Sequence, residues 1–250
     1  MLTLSPTRIR VYQDCPQRYA LTYIHRVPTS TPAAGPRLAF GSSLHAALKE
    51  YYRRPPAATD AAIRRLLQRT WVRVGYTDFA QEAEYFAEGV TILRQYRDTL
   101  PPDVPCQQEV TLSQVVLLAW QPVKLVGRVD RLDHYPDGAK ELVDYKTTAS
   151  GASPTPDRLA ADLPTFVYYT LGRLTFQDAP RVTVSQINLR SLDRSVAAYT
   201  PDQLAANDDA LASLACSIET GPHEARPGGR CAWCPVRPSC PVGAGDERRP

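Results

Sequence analysis

The chain has 250 residues, 43% hydrophobic and 22% charged, with 23 prolines and a formal net charge of +3. That length can bury a full core, and no run of about 18 apolar residues exists to span a membrane. A charge this small does not by itself argue for a nucleic-acid partner, although the ends are mildly basic: residues 1–26 carry four Arg against one acid, and residues 221–250 five Arg against three. Residues 1–26 are amphipathic and polar, unlike a signal peptide, so a cytoplasmic location is expected. The six cysteines are then not read as three disulfides.

In chain order, Leu4–Ile24 reads LSPTRIRVYQDCPQRYALTYI. Ser5 is an N-cap with Pro6 at the first helical position; one helix is expected to Asp14, and a second begins at Cys15-Pro16. After a proline-rich loop, Pro28–Pro36, a helix over Phe40–Tyr52 is capped by Ser42 or Ser43. It buries Leu44 and Leu48 with Tyr51 or Tyr52, and places His45 in its first turn. Helices over Thr59–Val74 and Ala80–Leu100 follow from regular apolar spacing. Strands are expected over Cys106–Leu112 and Val115–Trp120. Glu109 reads as a surface strand glutamate that could also serve as a further acid, and Cys106 as a small buried residue.

The stretch Gly127–Thr148, GRVDRLDHYPDGAKELVDYKTT, organises the rest. Two apolar runs, Leu125-Val126 with Val129 and Leu142-Val143 with Tyr145, flank Asp137-Gly138, a dipeptide that tolerates the positive φ of a hairpin turn. Asp144 and Lys146 are two apart and share a strand face; Asp130 on the neighbouring strand can lean toward it. Two carboxylates and an ammonium at one spot can hold a divalent metal and activate water. Edge-strand charges facing water are the competing reading. Lysine is used against the habit of a chain with 25 Arg and 4 Lys, and lysine, unlike arginine, is a compact charge whose pKa can be tuned.

Beyond a small-residue loop, Ala149–Pro156, the sequence predicts a helix over Asp157–Phe176, a closing strand pair over Arg181–Leu192 and Val196–Tyr199, and a helix over Asp202–Glu219 that buries Cys216. A turn-rich linker, Pro222–Gly229, leads to GRCAWCPVRPSCP. Cys231, Cys234 and Cys240 supply three thiols within ten residues, and Cys15 is the candidate fourth. Four thiolates suit an iron–sulfur cluster or zinc; zinc usually takes two CxxC knuckles, and only one is present. Free thiols are the third alternative.

The arrangement of Asp130, then thirteen residues, then Asp144-Tyr145-Lys146 resembles the signature of the PD-(D/E)XK nuclease superfamily. The opening LS-x-T-x-I-x-x-Y-x-x-C-P-x-x-Y pattern, the Gly41-x-x-x-His45 helix and the four cysteines are similar to RecB-family and CRISPR-associated exonuclease domains. A helical histidine is ordinarily structural or exposed; the resemblance implies instead that His45 joins Asp130 and Asp144 around Mg²⁺ or Mn²⁺, with Lys146 catalytic. It implies substrate contacts at Tyr169 and Arg128, although Thr165 stands where the family's Gln-x-x-x-Tyr motif has Gln. It further implies a 4Fe-4S cluster on Cys15, Cys231, Cys234 and Cys240, with zinc the less favoured occupant.

The fold class expected is α/β, restriction-endonuclease-like, as one domain over 1–250: helical over 1–100, a catalytic sheet core over 105–200, and a cysteine segment over 221–250. The activity expected is metal-dependent DNA hydrolysis, as an exonuclease on single-stranded ends in repair or CRISPR adaptation. No G-x-x-x-x-G-K-[ST] loop is present, so a helicase would be a separate partner, as would CRISPR adaptation proteins. The alternative is a non-catalytic DNA-binding or assembly subunit that keeps the fold.

Overall fold

A computed structural model describes residues 1–29, 35–54, 59–99, 104–148 and 151–243. The expected loops Pro28–Pro36 and Ala149–Pro156 fall partly outside these residues. Six strands form one mixed sheet: β1 (Leu2–Leu4), β2 (Cys106–Leu118), β3 (Gln121–His134), β4 (Lys140–Lys146), β5 (Val182–Asn188) and β6 (Arg194–Val196). The helices are α1 (Pro6–Asp14), α2 (Pro16–Tyr19), α3 (Pro36–Arg53), α4 (Asp60–Thr70), α5 (Phe79–Thr99), α6 (Pro156–Ala160), α7 (Leu163–Thr175) and α8 (Pro201–Thr220). This is the α/β class expected, with a helical layer on each face. α1, α7 and α8 share a core with Leu125, Val129 and Leu142; α3, α4 and α5 share another with Val143, Tyr145 and Ile187.

β3 holds the sheet together. β2 runs antiparallel to it along one edge, from Cys106↔Asp133 to Leu118↔Gln121. The other edge is shared end to end. β1 pairs in parallel with Val123–Leu125, and β4 pairs antiparallel with Arg131–His134. Residues 126–130 are left between them without a ladder partner on that side, so β3 and β4 part as a fork. β4 continues in parallel with β5, a pairing that needs a crossover, supplied by α6 and α7.

Side-chain alternation changes phase at Asp130. Val129 faces the α7 side, and so does Leu132, three positions on; Arg131 faces Tyr96 and Tyr145 on the other layer. β2 changes phase at the facing position, where Glu109 has φ +51 in the left-handed region, which costs a non-glycine residue of order 1 kcal/mol or more. The turn after Tyr135 is as expected: Gly138 has φ +88, and Asp137 accepts from the Ala139 N–H at 2.9 Å.

Several boundaries differ from the sequence reading. The two strands expected before the central hairpin are one, because Ser113-Gln114 offers no turn and the ladder continues to Leu118. α3 begins at Pro36 behind Gly35, so His45 lies mid-helix and Ser43 is no cap. Ser43 is buried, donates to the Ala39 carbonyl at 2.8 Å and accepts from the Val72 N–H at 2.9 Å. The single helix expected over Asp157–Phe176 is two. Asp162 caps α7 and Pro164 stands in its first turn, a stop-and-restart signal. Cys216 is exposed, because α8 turns Leu211, Ala215 and Ile218 inward. Cys106 is half-buried, with its sulfur accepting from Gln108 at 3.4 Å.

Candidate active site

The site lies in the fork between β3 and β4. Asp130 Oδ2 accepts the main-chain N–H of Tyr145 at 2.8 Å, so a carboxylate satisfies a strand N–H at the opening of the fork. Asp130 Oδ1 lies 3.0 Å from Nδ1 of His45, which α3 brings from the opposite layer with its ring edge-on to Tyr145 at 5.9 Å. Burial works to raise the Asp130 carboxyl, but the His45 hydrogen bond and charge, the Tyr145 N–H and Lys146 outweigh it. The group is held below the usual carboxylate range.

On β4, Leu142, Asp144 and Lys146 alternate with Val143 and Tyr145, which are buried on the other face. Lys146 Nζ is 2.5 Å from Asp144 Oδ2. Gln186 sits opposite Asp144 on β5. Together His45, Asp130, Asp144, Lys146, Arg128 and Gln186 border a cavity of about 310 Å³, closed on its far side by α1 and by Tyr168 of α7. α7 covers the gap in the β3 edge: the Tyr168 hydroxyl donates to the Arg128 carbonyl at 2.8 Å. A Cβ on Gly127 would stand 2.8 Å from Leu171 and 2.9 Å from Tyr168. Glycine lets that helix reach the strand. Burial, with Asp144 and Asp130 nearby, pushes the Tyr168 hydroxyl well above the ordinary tyrosine range, so it stays a protonated donor.

Residues 3–241 match the PD-(D/E)XK nuclease superfamily. The chain belongs to that superfamily. No curated protein matches it in sequence. Among solved structures it is similar to the crystal structure of SSO0001, at 13% identity and TM-score 0.45, over 96% of this chain and 86% of that one. It is also similar to a protein from Eubacterium rectale named a putative exonuclease, at 11% identity and TM-score 0.47, over 90% and 84% of the two chains.

Asp130, Asp144 and Lys146, expected from the sequence, border one cavity with His45. Arg128 is there as well, ion-paired to Glu109, which also binds Lys49. Tyr169 is not. It packs on Tyr199, 4.4 Å between ring centroids, and on Phe166. Its neighbour Tyr168 faces the site instead, because one step along a helix turns a side chain by about 100°. Thr165 borders the cavity, with its hydroxyl donating to the capping Asp162 at 2.8 Å. Sequence reasoning missed Tyr168 and Gln186. For Gln186 the signal was faint: it is one of two amides, with Asn188, in the strand VTVSQIN.

The four expected cysteines also come together. Cys15, Cys231, Cys234 and Cys240 line one cavity of about 400 Å³ between the α1–α2 corner and the C-terminal segment. All are unpaired. The Cys15 sulfur accepts the main-chain N–H groups of Arg18 and Arg226, each at 3.4 Å. Among the described residues, no three His, Cys, Asp or Glu side chains are gathered tightly enough to form a metal-binding group. The thiols share a chamber without converging, and Asp144 is closed onto Lys146. None of the described helices is long and apolar enough to cross a membrane.

Proposed function

We propose that the protein is a divalent-metal-dependent nuclease that hydrolyses DNA phosphodiester bonds, acting as an exonuclease on single-stranded ends. The observation that carries this reading is the convergence of Asp130, Asp144, Lys146 and His45 on one cavity in a chain of the nuclease superfamily. The donor set suits Mg²⁺ or Mn²⁺ by its chemistry, two carboxylates and an imidazole. Asp130, Asp144 and His45 would hold the ion. An ion there supplies positive charge against the developing phosphorane and acidifies water.

The chain's own groups do the rest. Tyr145 and His45 fix both oxygens of Asp130. Lys146 Nζ, a proton-bearing point charge 2.5 Å from Asp144 Oδ2, orients the attacking water and offsets charge on the phosphate as it is attacked. The Tyr168 hydroxyl and the Gln186 amide flank the reacting phosphate. In the adjoining chamber, which shares Asp14 and Arg18 with the site, Cys15, Cys231, Cys234 and Cys240 would hold an iron–sulfur cluster, or zinc as the less favoured occupant.

One observation favours a second reading. With Asp144 closed onto Lys146, no three donors stand ready for a metal among the described residues, which would suit a DNA-binding subunit without activity. Purified protein and end-labelled single-stranded DNA separate the two. The nuclease reading expects stepwise shortening with Mn²⁺ or Mg²⁺, stopped by EDTA and absent in Asp130→Ala. Intact DNA from wild-type protein with either ion decides for the subunit.

A further inference from the structure

The cavity over Asp130 is not closed at its sides. A second cavity, of about 510 Å³, shares Arg10, Lys146 and Gln186 with it and extends past Ala152–Pro154 to Arg158 of α6. In the other direction Asp14 and Arg18 border both the site and the cysteine chamber. The recesses therefore join as one groove that passes over the fork beside α1.

Charge along this groove is arranged with a purpose. Apart from the paired acids of the site, its carboxylates are Asp162 and Asp14, and both are engaged: Asp162 by Arg10 at 3.0 Å and Asp14 by Arg230. Arg128 is paired with Glu109. Arg158 stands on one side of the site and Arg18 on the other, at the junction with the cysteine chamber, and among the described residues neither forms an ion pair with a carboxylate. Two uncompensated guanidiniums on either side of an acidic centre fit a polyanion that crosses that centre. The recess over Asp130, about 310 Å³, has the volume of a small-ligand site. It admits a phosphate with its flanking sugars.

We propose that a single strand of nucleic acid lies along this groove, with Arg158 and Arg18 each holding a phosphate on opposite sides of the one presented to Lys146. The proposal rests on the nuclease reading and names how its substrate is held. Such contacts set the register of a strand without reading its sequence, and each one releases counterions, so binding weakens with salt.

The test is fluorescence anisotropy of labelled oligothymidylate in EDTA, titrated at several salt concentrations. Arg18→Gln and Arg158→Gln should each weaken binding and each flatten the dependence of log Kd on log salt by about 0.7, the increment for one phosphate contact on a single strand. The double variant should lose both increments. Arg65→Gln, the same charge change on an exposed residue of α4 outside the groove, should alter neither. The groove is overturned if the two variants match Arg65→Gln, or if a duplex of equal length binds wild-type protein as tightly as the strand. Cleavage is scored separately. Wild-type protein that cuts DNA while the variants bind normally sinks the groove alone; protein that cuts nothing while the slopes fall as expected sinks the nuclease reading alone.

Discussion

Tyr145 holds Asp130 from behind: its main-chain N–H donates to Asp130 Oδ2 at 2.8 Å. Its hydroxyl, on the opposite face of β4, lies 2.7 Å from that of Tyr96 and accepts from Arg131 at 3.1 Å. Arg131 also reaches Tyr52 at 2.5 Å, Tyr96 at 2.6 Å and Asp133 at 2.8 Å. The middle residue of the Asp-X-Lys triplet is thus anchored in a buried polar cluster, while the residues either side of it border the cavity. Tyr145→Phe keeps the N–H and should cost about 1–2 kcal/mol in urea denaturation, with cleavage far less affected than in Asp130→Ala. Arg131→Met leaves Asp133 buried without its cation and should cost about 3–5 kcal/mol. Equal losses from the two would mean the guanidinium is not the centre of the cluster.

Lys146 should be needed for chemistry and not for holding DNA. Lys146→Ala is expected to lower the cleavage rate by about 10²–10³, the scale for removing one group that stabilises developing charge, with strand affinity changed far less. Lys146→Arg should not restore the rate, because the broad guanidinium fork cannot take the place of a compact ammonium 2.5 Å from Asp144. Rapid cleavage by Lys146→Arg would show that charge alone suffices there.

The central hairpin was legible because its parts are local. Asp137-Gly138 specifies the turn, and period-two alternation puts Asp144 and Lys146 on one face. His45 came from a resemblance, the four cysteines from their spacing together with it, and the structure gathers each set at one cavity. What escaped was long-range. β1 has three residues and exists only because β3 has a free edge for it. The phase change at Asp130 faces Glu109 across the ladder, although the three-residue step from Val129 to Leu132 already breaks a strand's period. Tyr168 and Tyr169 differ only in which way α7 faces, and that depends on how it packs on β3, where Gly127 leaves room for Tyr168 and Leu171.

Gly127 can be tested directly. Gly127→Ala would drive a methyl into Leu171 and Tyr168, and α7 must shift to admit it. Overpacking of this kind costs about 1–3 kcal/mol. Because Tyr168 bonds the Arg128 carbonyl and borders the cavity, cleavage should fall more than in Tyr168→Phe, which removes only the hydroxyl. Wild-type stability and rate in Gly127→Ala would show that the helix has slack.

The buried Glu141 gives a pH-dependent outcome. Burial pushes its carboxyl up, but hydrogen bonds from Arg194, Ser185 and Tyr135 outweigh this and hold it below the usual range. A depressed carboxylate stabilises the fold above its unfolded pKa, and that contribution is lost as pH falls through the folded value. Arg194 lies 2.9 Å and 2.5 Å from Glu141 Oε1 through Nε and Nη2. Arg194→Ala leaves the anion buried and should cost about 2–3 kcal/mol near neutrality, less than a fully buried pair because Arg194 is half exposed. Without its partner Glu141 takes up a proton more readily, so the gap to wild type should narrow as pH falls toward 4, near the ordinary glutamate value of about 4.3. A gap that widens on acidification would place the loss elsewhere.

Cys15 ties the two ends of the chain. It lies at the α1–α2 corner, 216 positions before Cys231, yet both border one chamber. A group bound by both would close nearly the whole chain into a loop. In the chain-entropy model a cross-link around about 100 residues contributes about 4.7 kcal/mol, and a longer loop slightly more; that compares with a net domain stability of about 5–15 kcal/mol. Ligand-binding free energy adds to it. Cys15→Ser should therefore remove bound iron and the brown colour from anaerobically purified protein, and expose the segment after Gly221 to protease. Oxygen in place of sulfur can still accept the N–H groups of Arg18 and Arg226, so a loss of metal is not explained by a lost cap. Cys216, exposed on α8, and Cys106, on β2, lie outside the chamber, and their serine variants should keep full metal content. Elemental analysis checks this: full iron in Cys15→Ser with iron lost from Cys216→Ser would mean the ends are joined through other residues, and stoichiometric zinc in place of iron would keep the tie while changing the metal.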